Sequence, residues 1–303
     1  MSDRWIAPAP MLARVAQPLQ HVLAAPSRAY LPLRVRDETV GWLTPERAAR
    51  LAGWPDYFKL SDEAVDCASS LATAAARTTA FAEAARTLSA EGALTAWRDE
   101  RYPVAAQPGD TALFEIERAA ARHFGVHTFA AHANGAVGNS DRWRMWLARR
   151  SPTKPIDPGL LDNLVGGGIP SGASVVDTLT REAWEEAGIA QRFASEAIPA
   201  GAVDIRRDQP DGLQRETIYV YDWWLPPDFV PANQDGEAVE HRLCEGEEVL
   251  ALIATDDVTA DASLVIIDFL LRHGHVATGD PSFAALDSLR RVAPAQATQR
   301  APQ

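Results

Sequence analysis

The stretch Leu179-Thr-Arg-Glu-Ala-Trp-Glu-Glu-Ala-Gly-Ile-Ala-Gln191 decides how this chain is interpreted, because it places three carboxylates at helical spacing. Glu182, Glu185 and Glu186 stand at positions i, i+3 and i+4, so on a helix they share one face. Such a face is often simply solvated. A divalent cation would also neutralise it, and hard carboxylate oxygens suit magnesium or manganese.

The residues around this stretch favour a ligand-binding helix over a solvated one. Upstream, Val165-Gly-Gly-Gly-Ile-Pro-Ser-Gly172 is a glycine-rich segment whose backbone can approach a ligand closely. Ser174 is the predicted N-cap, Asp177 completes an acidic capping box, and Gly188 is the predicted stop. Four residues at helical spacing predict an apolar face for the core: Val176, Leu179, Ala183 and Ala187.

With this order of elements, the sequence resembles the Nudix hydrolase family. The family signature is Gly, five residues, Glu, seven residues, then Arg-Glu-apolar-any-Glu-Glu-any-Gly-apolar. Gly167 matches the first glycine, and Arg181–Ile189 matches the second half. Ala173 replaces the first glutamate, which bears on the outer shell of the metal and on its affinity. The resemblance implies that Glu182, Glu185 and Glu186 are the ligands of Mg²⁺, or alternatively Mn²⁺.

Length, charge and cysteine content limit the class of protein. The 303 residues suggest two domains, and a net charge of −12 argues against binding to a nucleic-acid polymer. A phosphorylated small molecule remains compatible with that charge. Cys67 and Cys244 are too few for a disulfide framework, which indicates a cytoplasmic protein. The apolar run 264–271 is too short for a membrane span, and the arginine-containing segment 1–36 leaves a transit segment open.

The predicted organisation is an α/β (α+β) chain of three parts. A small α+β N-terminal domain of unassigned function covers residues 1–120, the Nudix domain covers 121–280, and a flexible tail covers 281–303. For the first part we predict helices at Met11–Leu23, Thr44–Gly53, Asp62–Ser89 and Thr111–Phe124, and a hairpin of Leu31–Val35 with Thr39–Leu43.

The Nudix domain is predicted to contain a sheet flanked by helices. The expected strands are Val126–Asn134, Trp143–Arg149, Glu216–Leu225 and Ala238–Leu243, and the expected helices are Glu245–Ala254 and Ala262–Arg272. The resemblance implies that they form the Nudix αβα sandwich with a mixed sheet.

Five further segments are similar to one Nudix subgroup, which is related to the Nudix domain of fungal thiamin pyrophosphokinase. They are Trp146–Lys154, Pro158–Gly168, Glu216–Asp222, Gln234–Glu237 and Ile267–Gly274. The subgroup carries an N-terminal domain before the Nudix domain. The resemblance implies hydrolysis of a diphosphate, with thiamin diphosphate and its oxidised (oxo and oxy) forms as the favoured substrates. The products would be the monophosphate and phosphate.

To hydrolyse a phosphoanhydride, an enzyme must neutralise the negative charge of the phosphates and place a water in line with the bond that breaks. The metal would supply that neutralisation and an activated water. Glu237 is the candidate general base, although it could equally be an ordinary loop acid; Glu247 and Glu248 are weaker candidates. Arg181 is expected to orient the glutamates. The remaining candidates would bind the phosphates through side chains or bare backbone: Arg149, Arg150, Lys154, Gly167 and Gly168.

Several aromatic and histidine side chains are candidates for contact with a flat heterocycle or a metal. The aromatic ones can stack or pack in the core: Trp143, Trp146, Tyr219, Tyr221, Trp223 and Trp224. The histidines lack metal-ligand spacing and are interpreted as structural: His127, His132, His241, His273 and His275.

Three other functions stay open on the sequence. An oxidised-nucleotide (8-oxo-dGTP) diphosphatase would use the same metal site. Isopentenyl-diphosphate isomerase would need a cysteine in the site, and neither Cys67 nor Cys244 is suitably placed. A catalytically silent binding module is favoured by Ala173 and disfavoured by the intact glutamates. We expect a monomer or homodimer, without a membrane partner, whose N-terminal domain caps the pocket and contributes specificity.

Overall fold

The N-terminal domain is built on a four-stranded sheet in this computed structural model, which describes residues 4–290. The strand order is β2-β1-β4-β3. The strands are β1 (Leu31–Val35), β2 (Glu38–Leu43), β3 (Phe58–Leu60) and β4 (Val65–Cys67). Helix α2 (Pro45–Arg50) follows the hairpin and begins at the N-cap Thr44, whose side chain accepts from the N–H of Arg47. The predicted hairpin and short helix are therefore confirmed.

A second group of elements completes this domain. They are α3 (Ala74–Ala90), β5 (Arg101–Val104), β6 (Phe114–Glu117) and α4 (Ala121–Phe124). Phe81 of α3 stacks on Phe114 of β6 with 4.1 Å between ring centroids. The prediction of one helix over Thr111–Phe124 is wrong at its start, because Phe114 and Ile116 alternate into the core and their strand pairs with β5. The helical stretch predicted from Asp62 likewise begins with β4.

A seven-stranded mixed sheet forms the second domain. Its strands are β7 (Thr128–Gly138), β8 (Trp143–Arg150), β9 (Leu161–Asn163), β10 (Val165–Gly168), β11 (Ile198–Gln209), β12 (Gly212–Leu225) and β13 (Ala238–Glu245). The main order is β11-β12-β7-β8-β13, while β10 pairs with β7 and β9 pairs with β8. Among the strands of this sheet within residues 4–290, only the β12–β7 pairing is parallel. The four strands predicted here are confirmed. Strand β11 was not predicted, and its register shifts between Pro199 and Gly201, which interrupt the strand pattern.

Helices cover both faces of this sheet. On one face, α5 (Val175–Ala187) packs with Ala131 and Ala133 of β7, and the short α6 (Gln191–Ala194) follows it. On the other face, α8 (Ala260–Arg272) packs against Ala130. Neighbouring residues of a strand point to opposite faces, so the arrangement is an αβα sandwich, as predicted. The remaining helices are α1 (Ala9–Val22), α7 (Gly246–Ile253) and α9 (Phe283–Leu289).

The two ends of the described chain both pack on the second domain. Leu12 and Val15 of α1 share a core with Leu250 of α7 and Phe269 of α8, so the confirmed N-terminal helix joins the domain that follows residue 120. Where a flexible tail was expected from residue 281, the structure has α9 with Leu286 buried. The rest of that tail, residues 291–303, lies outside the described residues. Within residues 4–290, each helix is too short or too polar to cross a membrane.

Candidate active site

The glycine strand β10 and the acidic helix α5 form the centre of the site. Ser174 and Asp177 make the predicted capping box, and Gly188 ends α5 in the left-handed conformation with φ 68°. Of the predicted apolar face, Leu179, Ala183 and Ala187 are buried. Val176 is 47% exposed, so that part of the prediction is wrong: this first-turn residue lies beyond the edge of the core. The motif therefore folds as a capped helix directly after the glycine strand.

Two of the three glutamates are buried against the glycine strand. Glu182 and Glu186 are each 8% exposed, while Glu185 is half-buried. The backbone N–H of Gly166 donates to Glu186 Oε2 at 2.8 Å. A Cβ at position 167 would collide with the Glu182 carboxylate, so glycine is required there to leave room for it. The two halves of the motif are thus in direct contact.

Burial sets the electrostatics of this acidic face. It raises the pKa of Glu182 to about 7, with Arg181 opposing the rise and Glu185 adding to it. Burial also raises the pKa of Glu186 well above its ordinary value, and the neighbouring charge of Glu182 adds to that rise. Two buried carboxylates that repel each other are stabilised by a cation, because it supplies the missing positive charge.

Arg181 provides part of that charge. Its Nη2 donates to Glu182 Oε1 and its Nη1 to Glu185 Oε2, each at 2.7 Å. Among residues 4–290, no three acidic, histidine or cysteine side chains already converge as a metal site. The hard-oxygen donors nevertheless suit Mg²⁺, provided that the Glu185 carboxylate turns from Arg181 towards its neighbours. Ala173, where the family has a glutamate, lies directly before the N-cap.

A cavity of about 360 Å³ lies along the glycine strand. Gly166, Gly167 and Gly168 all line it, as do His132 and Ala130 of β7, which pair with Gly166 and Gly168. The glycine strand therefore borders both the acidic helix, through the contact of Gly167 with Glu182, and a space large enough for a small ligand.

The predicted phosphate-binding cations separate into two groups. Lys154 and Arg150 line the cavity, and Arg150 donates to Asp162 at 2.8 Å. Arg149 does not line it, because its guanidinium is bound to Asp257, Glu240 and the carbonyl of Gly159. Arg149 therefore ties β8 to its neighbours, while the other two face the ligand space.

Glu237, the candidate base, is held in a double ion pair. Arg98 Nη1 donates to its Oε1 at 3.0 Å, and Lys154 Nζ donates to its Oε2. Burial alone would raise the pKa of Glu237, but hydrogen bonds from Lys154 and Arg98 lower it to about 2. A carboxylate of such low pKa accepts protons poorly. As placed, Glu237 holds two cations, and its role as a base stays a prediction.

The N-terminal domain contributes site residues that were not predicted. Arg98, Tyr102 and Arg118 line the cavity, and the Tyr102 hydroxyl packs so closely on Gly168 that a Cβ there would collide with it. They belong to no recognisable motif and approach the glycine strand only because the β5–β6 hairpin docks there. Sequence spacing carried no signal for them.

The other candidate side chains have structural partners. The six aromatic residues considered as stacking surfaces are absent from the described lining of the cavity. Trp143, for example, donates to His275 at 2.7 Å within the core. Cys67 and Cys244 are unpaired and also lie away from the lining, which argues against a cysteine-dependent isomerase.

Comparison with known proteins follows the two-domain division. Residues 129–264 match the family model described as NUDIX domain, and residues 13–128 match one described as Domain of unknown function (DUF4743). Nudix hydrolase 24, chloroplastic, of Arabidopsis thaliana is 36% identical over 266 residues, 87% of this chain and 72% of the relative. Nudix hydrolase 20, chloroplastic, of the same plant is 35% identical over 257 residues, which are 82% of this chain and 69% of the relative. A solved structure from Deinococcus radiodurans has a TM-score of 0.42 and 24% identity, covering 56% of this chain and 97% of that one.

Proposed function

The chain belongs to the Nudix hydrolase family, and from this membership we propose that it cleaves the diphosphate of thiamin diphosphate or of its oxidised forms. It is a pyrophosphohydrolase, and Nudix hydrolases generally use divalent metals. The substrate, the choice of Mg²⁺ and a cytoplasmic location are proposals. The products would be the monophosphate and phosphate.

The charge distribution of the cavity is the observation that supports a thiamin-type substrate. Lys154 and Arg150 lie with the glycine strand, and Glu216 lines the cavity where β12 pairs with Thr128 at the start of β7. Gly166 pairs with His132, four residues further along β7, which is about 13 Å. One cavity thus offers cations for a diphosphate and, towards the start of β7, carboxylates for a positively charged group.

Three carboxylates line that acidic region: Asp157, Glu216 and Asp261. Gln214 donates to both Glu216 and Asp261, Thr128 donates to Glu216 at 3.2 Å, and Arg207 lies 3.7 Å from Asp261, so neutral donors and one arginine contact the last two carboxylates. Burial raises the pKa of Glu216, and the charge of Asp261 raises it further. The positively charged thiazolium ring of thiamin diphosphate would relieve this repulsion. A neutral oxidised guanine would not.

The chain's own residues have distinct roles in this mechanism. Glu182, Glu185 and Glu186 would hold Mg²⁺, and Arg181 keeps two of these carboxylates oriented. The metal, when bound, supplies charge neutralisation and lowers the pKa of a water. Lys154 binds the phosphates, and the bare backbone of Gly167 and Gly168 allows them to approach the strand.

A substrate panel tests the proposal. Purified protein with Mg²⁺ is assayed on thiamin diphosphate, oxothiamin diphosphate, oxythiamin diphosphate and 8-oxo-dGTP, measuring phosphate and pyrophosphate release. We expect phosphate and the monophosphate from at least one thiamin-type substrate, at higher kcat/KM than for 8-oxo-dGTP. A preference for 8-oxo-dGTP would overturn the substrate proposal, and no turnover of any of the four would overturn the hydrolase assignment for these substrates.

A further inference from the structure

Arg98 and Arg118 of the N-terminal domain line the same cavity as Lys154 and the glycine strand. Arg98 is positioned through its backbone N–H, which donates at 3.1 Å to Oε1 of the buried Glu117. Its guanidinium then meets Lys154 at the Glu237 carboxylate. Cations from two domains therefore already converge on one set of oxygen acceptors.

A phosphate presents the same kind of acceptor as that carboxylate, with more charge. Arg and Lys both form charge-assisted hydrogen bonds to phosphate, and the planar guanidinium does so with a fixed fork. Arg98 and Lys154 are held close enough together to share one carboxylate, so the same spacing allows them to share one phosphate. Glu237 keeps them together when no anion is there.

Arg118 lies against Tyr102, which packs on the glycine strand. Its guanidinium lies 5.7 Å from the centroid of the Tyr102 ring, and its Nη1 donates to Glu100 at 2.8 Å. Within the described residues, Glu100 provides the only hydrogen bond to this side chain, so donors remain for a ligand. Arg118 is also close enough to Glu182 to oppose the rise in pKa that burial causes there.

The hairpin that carries these residues is fixed to the segment after the glycine strand. The N–H of Ser171 donates to the carbonyl of Arg101 at 2.8 Å, and the Ser171 hydroxyl donates to Glu115 of β6. Tyr102, between these two anchors, is buried against Gly168. The arginines are thus presented to the site by a docked element.

We propose that Arg98 and Arg118 of the N-terminal domain bind the substrate's phosphates together with Lys154, so that the substrate site is shared by both domains. This inference rests on the proposed function, because it names the residues that hold the diphosphate. It assigns the N-terminal domain a direct part in substrate binding and replaces Arg149 in the clamp predicted from sequence.

The test uses the full chain with Arg98→Ala, Arg118→Ala and the corresponding lysine variants. With Mg²⁺ in constant excess, KM and kcat are measured for the best thiamin-type substrate. Binding of inorganic pyrophosphate is measured by calorimetry. Losing a charge-assisted hydrogen bond should weaken binding about 10- to 100-fold, so KM and the pyrophosphate Kd should rise by that factor and kcat should change less. Lysine should restore part of the affinity.

Arg50→Ala is the matched control, because Arg50 is also an N-terminal arginine paired with a glutamate, Glu91, but lies outside the cavity lining. It should leave both constants unchanged. Pyrophosphate binding needs no turnover, so it tests this inference even if the proposed substrate is wrong. Folded Arg98→Ala and Arg118→Ala variants that bind pyrophosphate within twofold of wild type would overturn it. If Arg118→Ala unfolds, the Arg98→Ala and Arg118→Lys variants are used instead. Pyrophosphate binding by both within twofold of wild type would then overturn the inference.

Discussion

The N–H of Gly166 donates to the Glu186 carboxylate at 2.8 Å, and this bond joins the glycine strand to the acidic helix. Glu186 is buried, and its oxygens face both this donor and the like charge of Glu182, which adds to the pKa rise caused by burial. The two halves of the sequence motif therefore form one unit in space.

Replacing Glu186 with Gln tests whether the unit is built for a metal or for stability. The amide oxygen can still accept from Gly166, while one buried negative charge is removed. We expect the melting temperature to stay the same or rise without added metal, and kcat/KM with Mg²⁺ to fall at least about 100-fold. Thermal unfolding and steady-state kinetics measure the two effects. Full activity in the variant would eliminate Glu186 as a metal ligand.

Gly167→Ala should disturb the site through a single methyl group. The added Cβ would collide with the Glu182 carboxylate, so that side chain or the strand must shift. We expect a cost of about 1–3 kcal/mol in the free energy of unfolding, together with a lower kcat. Gly53→Ala, where a Cβ meets nothing within 4 Å, is the control for both. Equal effects of the two substitutions would contradict the close packing described for Gly167.

Alanine substitutions of Arg149 and Lys154 should have different effects, one on stability and the other on substrate binding. Arg149 is bound to Asp257 and Glu240, so Arg149→Ala should lower the melting temperature and leave KM nearly unchanged. Lys154 lines the cavity, so Lys154→Ala should raise KM about 10- to 100-fold. Kinetics and thermal unfolding of both variants check the pair. A KM increase confined to Arg149→Ala would reverse the assignment.

Asp222 is predicted to support the fold in a pH-dependent way. Arg272 donates to it at 2.6 and 3.0 Å and His273 contacts it at 2.8 Å, linking β12 to α8. Burial alone would raise the pKa of Asp222, but bonds from His273 and Arg272 lower it to about 2. The Asp222 charge therefore contributes to the free energy of unfolding above pH 3.8, the ordinary pKa of the group. This contribution is lost as the pH falls towards 2.

Replacing this carboxylate with Asp222→Asn should cost about 1–3 kcal/mol at pH 7, because Arg272 and His273 lose a charged acceptor while Asp268 still pairs with Arg272. Denaturant unfolding between pH 7 and pH 2 should show the gap between wild type and variant closing as the pH falls below 3.8. A gap that stays constant down to pH 2 would show that the Asp222 charge is not the cause.

The parts that could be predicted from sequence are those with a short-range cause. The caps of α5 follow from Ser174, Asp177 and Gly188, whose chemistry acts over a few residues. The prediction of a helix at residues 114–117 was wrong because their local sequence is compatible with either a helix or a strand. Pairing with β5 makes them a strand. Arg149 has the same local character as Lys154, and only tertiary partners distinguish them.

The least predictable part of the site comes from the other domain. Arg98 lies 56 positions and Arg118 lies 36 positions before Lys154 along the chain, so their spacing suggests no contact. Docking of the β5–β6 hairpin on Ser171 nevertheless brings them to the glycine strand. That the N-terminal domain caps the pocket was expected from the sequence and stays a prediction. The sequence could not identify which residues of that domain line the cavity, because long-range docking leaves no periodic pattern.

Phosphate release from thiamin diphosphate and its oxo and oxy forms, followed with Mg²⁺ and then with the metal chelated, tests the central claim most directly. For at least one of these substrates the account predicts Mg²⁺-dependent formation of equal amounts of phosphate and the corresponding monophosphate, which stops on chelation and is restored by added metal. Absence of phosphate release, or release that continues at the same rate without metal, would contradict it.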